Sequence, residues 1–214
     1  VLLPARKPVL IGAAVAAVVM VTLGALFSGQ HGPTAFDQSV FDAVHTHVPY
    51  WALRLMKAPT NPILLIAVLA VVALVAFAKR RFDLAVLAAA GPGLSVALSS
   101  LALKPLFGRR YYDTYLAYPS GHTTALTATI FVLLVAVATL GRTALTVAAF
   151  GAAAVVLACA VIGLVGLRYH YMTDTIGGFC VAGATVALVA SVLDSSSTKH
   201  THRDQQGRGV HSMK

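Results

Sequence analysis

Two short stretches carry residues that could do chemistry. Pro119-Ser120-Gly121-His122 is one, and His170-Tyr171-Met172-Thr173-Asp174 is the other; their histidines stand 48 positions apart. An Asp four residues after a His shares its face if the turn is helical. Such an Asp can accept from one ring nitrogen, which fixes the tautomer and leaves the other nitrogen an electron pair. An imidazole with an ordinary pKa of about 6.5 is largely neutral at physiological pH, so His170 could attack phosphorus. A structural His-Asp pair capping a helix would have the same spacing. Ser120-Gly121-His122 reads as a helix start, where unpaired N–H groups and the positive dipole end hold an anion. Pro119 fixes the entry, Ser120 can cap the helix or donate its hydroxyl, and Gly121 lets an oxyanion approach the backbone. Lys104, Arg109, Arg110 and Arg168 stand at the ends of apolar runs. Singly, each is explained as a basic side chain anchoring a helix end at a membrane surface. Gathered with two histidines on one side, they suit phosphoryl transfer, where charge spreads over three oxygens.

These residues need elements that bring them to one place. The chain is 58% hydrophobic and only 11% charged, which excludes an ordinary soluble domain. Apolar runs at 9–27, 63–78, 84–103, 123–140, 144–167 and 175–193 are each about long enough to cross a bilayer core of roughly 30 Å. The first run is longer than the apolar core of a cleaved signal peptide, so it is expected to stay as a helix. The expected fold is all-α: a polytopic bundle of six transmembrane helices over residues 1–193, followed by a disordered basic tail at 194–214. Gly91-Pro92-Gly93 is expected to loosen or kink the third crossing. In the connection at 28–61, Phe36, Val40, Phe41, Val44 and Val48 recur at helical spacing, with Asp37 and Asp42 on the opposite face. That pattern predicts an interfacial helix followed by a Tyr50-Trp51 anchor. His31, His45 and His47 there are expected to be solvated, as are His200, His202 and His211 in the tail.

An even number of crossings separates His122 from His170, so both must face the same side. Ten of the sixteen basic residues fall on the other side when the N-terminus is placed inside. By the positive-inside tendency the candidate site faces the non-cytoplasmic side of the plasma membrane. Glu is absent and the seven Asp are scattered, which argues against a paired-carboxylate glycosidase. The net charge of +9 is split between two membrane faces, which argues against nucleic-acid binding. Cys159 and Cys180 lie inside apolar runs without CxxC spacing and read as buried thiols.

At this point the sequence resembles the type 2 phosphatidic acid phosphatase (PAP2) superfamily of integral membrane lipid phosphatases. The family pattern is Lys-x6-Arg-Pro, then Pro-Ser-Gly-His, then Ser-Arg-x5-His-x3-Asp. The second stretch matches in full at 119–122, and the His-x3-Asp half of the third matches at His170 and Asp174. Two departures stand out. Seven residues after Lys104 is Tyr111, followed by Tyr112, with Arg109 and Arg110 slightly early. Six residues before His170 is Leu164, while Arg168 is four residues closer, about one helical turn along nearly the same face. Arg168 is therefore the expected replacement for the third-stretch arginine. Arg110 is expected to replace the first-stretch arginine, with Arg109 in reserve.

The resemblance implies a metal-independent hydrolase that needs no cofactor. It implies attack by His170 on a lipid phosphate, Asp174 holding that ring, and His122 protonating the leaving oxygen. A phosphohistidine follows, and water then releases phosphate with His122 as base. Lys104, Arg110, Arg168, Ser120 and the Gly121 N–H would hold the equatorial oxygens. A polyprenyl diphosphate ranks first among substrates, then phosphatidate or phosphatidylglycerol phosphate, then a phosphorylated polyprenyl sugar. A headgroup transferase of the same superfamily would use an alcohol in place of water. A transporter would need charges at mid-membrane, whereas these lie at helix ends.

Overall fold

The computed structural model describes residues 2–3 and 5–211, with side chains through residue 196. Its helices are α1 (Arg6–Leu26), α2 (Ala35–His47), α3 (Tyr50–Lys57), α4 (Pro62–Ala78), α5 (Phe82–Ala97), α6 (Lys104–Phe107), α7 (Gly121–Ala138), α8 (Thr143–Gly166) and α9 (Met172–His211). Strands β1 (Arg110–Tyr111) and β2 (Tyr115–Leu116) form a small antiparallel hairpin. Six helical stretches are long and apolar enough to cross a membrane: Arg6–Leu26, Tyr50–Ala78, Phe82–Phe107, Gly121–Ala138, Thr143–Gly166 and Met172–Ser196. The all-α six-span bundle expected from the apolar runs is therefore present.

Polarity within the bilayer sorts the helices. α1 and α4 leave most of their Val, Leu and Ile exposed, and α8 does so as far as Val156, as helices facing lipid must. α7 and α9 are the inner pair, and α5 packs against both. Where they meet, Leu87, Ala128, Val132, Ala182 and Val186 are buried in one cluster. The small residues among them bring helix axes close without a hydrophobic force between lipid-solvated helices. Backbones also meet closely at Gly178 of α9, where a Cβ would lie 2.5 Å from the Ser120 carbonyl oxygen. Any side chain there would part α9 from the start of α7.

Two local outcomes differ from the sequence reading, and the third crossing adds detail to it. α5 continues through Pro92, with the Ser95 hydroxyl donating to the Gly91 carbonyl at 2.8 Å. A π-helical turn then follows over Leu98–Leu103 and leads directly into Lys104. Such turns re-aim the residues that follow them. The second crossing also begins earlier than expected: α3 joins α4 through a 3-10 turn at Ala58–Thr60, capped by Asn61. Finally, α2 forms where expected but turns its Asp37 inward, at 1% exposure, while Phe36 stays exposed. The amphipathic phase located the helix; a buried polar partner set its rotation.

Asp194, the first residue of the expected tail, is instead packed against the N-terminal strand of chain, accepting from the Leu2 and Leu3 N–H groups at 2.6 and 2.9 Å. The backbone of the expected disordered tail continues α9 as helix to His211, and the side chains after Ser196, with His200, His202 and His211, lie outside the described residues. Cys180 is buried and Cys159 half-buried, both as free thiols.

Candidate active site

The ends of α1, α5–α6 and α8 and the starts of α3, α7 and α9 share one side of the bundle by the parity of the crossings. Backbone bonding ties the two histidine stretches together there. The Ser120 N–H donates to the Asp174 carbonyl at 2.9 Å. The Ser120 hydroxyl is fully buried and accepts from the Thr123 N–H at 3.2 Å, so it caps α7 and does not face the cavity. Gly121, the first residue of α7, lines the cavity beside His122. This start of α7 places His122 Nδ1 3.4 Å from His170 Nε2, with ring centroids 5.6 Å apart.

His170 precedes the first turn of α9, and Asp174 lies in that turn. Asp174 reaches back to accept the Tyr171 N–H at 3.0 Å, satisfying one unpaired helix-start donor. Its Oδ2 lies 3.8 Å from His170 Nδ1, longer than a hydrogen bond. The expected Asp-His hydrogen bond is thus open in this state, and His170 Nδ1 has no partner. Burial pushes the His170 imidazole below its usual range, against the opposing pull of the Asp174 carboxylate. The ring is therefore neutral at physiological pH, with Nε2 facing His122.

The remaining bonds of Asp174 explain Arg109. Its guanidinium has 0% exposure and donates through Nη1 to Asp174 at 2.7 Å and to the Thr173 hydroxyl at 2.6 Å. Through Nη2 it donates to Asp37 at 2.8 Å. Faces of Phe27 and Tyr171 cover it at 4.5 and 4.7 Å. Arg109 therefore holds Asp174 from behind and does not line the cavity, contrary to the expected phosphate contact. Asp37 completes the knot by accepting the Thr173 N–H at 2.9 Å while capping α2 with Thr34. Burial acts to raise the Asp37 carboxyl, but N–H donors from Thr173 and Thr34 with the Arg109 guanidinium hold it below the usual carboxylate range. The sequence reading missed Asp37 and Thr173. The Thr34-x-x-Asp37 spacing is a capping-box signal, which marks the helix start and not the ion pair.

The other expected phosphate ligands divide. Lys104 lines a cavity of about 730 Å³ with His122, His170, Gly121, Tyr115 and Arg168. Its Nζ donates to the Leu116 carbonyl at 2.7 Å, which ties it to the hairpin. Arg168 adopts a left-handed backbone (φ +61) after α8 and lays its guanidinium over Phe41 at 4.6 Å. Arg110, favoured from the sequence, is exposed on β1 and lines no cavity described around the histidines. Hairpin alternation turns it outward while Tyr111 turns in. Tyr115 and Tyr169 also border the site: the Tyr115 hydroxyl donates to the Tyr169 carbonyl, and Tyr169 sits edge-on to His122 at 5.7 Å. Among the described residues no three His, Cys, Asp or Glu side chains gather as a metal ion would require.

A second cavity of about 890 Å³ adjoins the first, sharing His122, Arg168, Tyr169 and Thr60, and is lined further by Arg54 and Lys57 of α3. Lys57 holds its ammonium 4.0 Å over the Tyr169 ring. The sequence placed Arg54 and Lys57 on this side of the membrane but did not bring them to the site.

No protein-family model matches the sequence, and no curated protein does. Among solved structures, the first transmembrane PAP2 type phosphatidylglycerolphosphate phosphatase from Bacillus subtilis superposes with a TM-score of 0.67 at 18% identity, covering 86% of this chain and 96% of that one. The resemblance drawn from one full stretch and half of another agrees with the architecture found in space, and the chain carries the fold of a PAP2-type membrane phosphatase.

Proposed function

We propose that the protein is a membrane lipid phosphatase that works through a phosphohistidine at the non-cytoplasmic face of the plasma membrane. The observation that carries this reading is the 3.4 Å approach of His122 Nδ1 to His170 Nε2 beside a cavity lined by Lys104 and Arg168. His170 is the nucleophile, because burial keeps it neutral and its Nε2 faces the cavity side. Nε2 bonds to phosphorus as the P–O bond to the lipid breaks, and His122 donates its proton to that leaving oxygen. Water then attacks the phosphohistidine, His122 takes the water proton, and phosphate leaves with the His170 ring restored. Asp174 offsets the charge on the phosphorylated ring once the 3.8 Å gap to Nδ1 closes. Lys104, Arg168 and the Gly121 N–H at the start of α7 stabilise the equatorial oxygens. Nitrogens at 3.4 Å leave no room for a phosphoryl group with its leaving oxygen between them. His122, half-buried and at the cavity wall, therefore turns away from His170 when substrate enters.

A polyprenyl diphosphate is the proposed substrate, since an outward site suits a lipid carrier recycled during envelope synthesis. Phosphatidylglycerol phosphate is the second reading, favoured by the activity named for the Bacillus subtilis structure. Phosphate release from a panel of lipid phosphates by detergent-purified protein, with and without a chelator, tests all of this. Release that persists with the chelator and disappears in His170→Ala is the expected result. Loss on chelation overturns the metal-free mechanism, and full release by His170→Ala overturns the phosphohistidine.

A further inference from the structure

The cavity over α3 has chemistry that removal of a single phosphate does not require. Its charged lining residues are Arg54, Lys57 and Arg168, with His45, Asn61 and His122 adding polar groups, and no carboxylate lies among the described residues around it. A cavity lined by cations alone attracts an anion, and wall residues shared with the histidine cavity place that anion next to the reacting phosphorus.

Lys57 is held in place by tight backbone packing. At Gly163 of α8 a Cβ would lie 2.6 Å from the Lys57 nitrogen and 2.8 Å from the Leu53 carbonyl oxygen, so α3 is pressed directly onto α8. The ammonium then rests on the Tyr169 ring, whose other neighbour is His122. One aromatic ring thus separates the Lys57 cation from the histidine pair. Arg168 lines both cavities and spans the same gap.

We infer that Lys57 and Arg54, with Arg168 as the bridge, form a second anion subsite that takes a second phosphate of the substrate, one short linker away from the phosphate being removed. The inference rests on the phosphatase reading above and deepens it by naming the substrate class: a lipid carrying two phosphates at its headgroup. The two can be joined directly, as in a diphosphate, or through a glycerol, with a monoester and a diester. Only the terminal phosphate leaves; the second stays with the lipid and gives the complex part of its affinity. Lys57 and Arg54 are positioned to determine specificity and take no part in bond breaking.

The test compares matched lipids in detergent: a polyprenyl diphosphate against its monophosphate, and phosphatidylglycerol phosphate against phosphatidate. One charge-assisted hydrogen bond lost from a bound phosphate corresponds to roughly ten-fold or more in kcat/KM. Lys57→Gln, and separately Arg54→Gln, should lower kcat/KM on the two-phosphate member of a pair by about that factor relative to the one-phosphate member. A selective fall in the first pair alone identifies a diphosphate, and in the second alone the glycerol-spaced form; either supports the subsite. An equal fall on both members, or no fall, overturns it. If the parent protein releases phosphate from none of these lipids, the phosphatase reading fails by itself. Calorimetric titration with inorganic diphosphate then decides the subsite: weaker binding in Lys57→Gln than in the parent supports it, and identical binding overturns it.

Discussion

Asp37 and Arg109, 72 positions apart, meet at 2.8 Å with neither side chain exposed. The contact joins the short helix α2, which lies between the first two crossings, to the hairpin strand entry and, through Asp174, to the start of α9. A segment that reads as a peripheral connection is thereby part of what holds the histidine site.

Removing one member of a buried ion pair leaves the other uncompensated, which costs about 3–5 kcal/mol. Asp37→Ala is expected to lose about that much stability and Arg109→Ala a similar amount, while the double variant loses less than their sum. Thermal unfolding in detergent measures this, and additive losses would refute the pairing. Asp37 titrates below its ordinary range in the folded protein, so its contribution is complete above the ordinary carboxylate pKa. It is lost as pH falls through the lower folded value. The acid limb of unfolding should therefore flatten in Asp37→Asn.

The proposed nucleophile, His170, must be unprotonated to react. Since burial lowers the His170 pKa, the acid limb of kcat/KM is expected below about 6.5, the ordinary imidazole value. Rates measured between acid and neutral pH locate it. A limb above that value would place the charged form of His170 in the resting enzyme, against this geometry.

The two arginines weighed for the phosphate should separate. Arg168→Ala is expected to reduce kcat/KM by about 10²-fold, the scale of one lost transition-state donor. Arg110→Ala, exposed on β1, is expected to stay near the parent rate. The reverse ranking in a side-by-side assay would return Arg110 to the site.

Gly178→Ala sets a Cβ against the Ser120 carbonyl at the point where α9 meets the start of α7. Overpacking of this kind costs about 1–3 kcal/mol. It should also depress kcat, because the same approach fixes His170 relative to His122. Gly93→Ala in α5, where the added carbon meets nothing within 4 Å, serves as the control and should leave both properties near the parent.

Apolar run length and the parity of crossings were enough, from the sequence alone, to determine six spans and to put His122 and His170 on one side. They suffice because a bilayer imposes a length on each crossing and an even count returns the chain to the same face. The Pro-Ser-Gly-His and His-x3-Asp spacings also picked out the two histidines that the fold brings together, His122 and His170. Which cation does which work was decided only in three dimensions. Arg109, Arg110 and Arg168 are alike in the sequence, yet one is buried behind Asp174, one faces outward from a hairpin, and one borders both cavities. Asp37 and Lys57 read as surface residues because amphipathic phase reports which face is polar. It does not report what that face meets. Their partners lie on Thr173, Arg109 and Tyr169, and only the packing of α2 and α3 against α8 and α9 brings those groups within bonding distance.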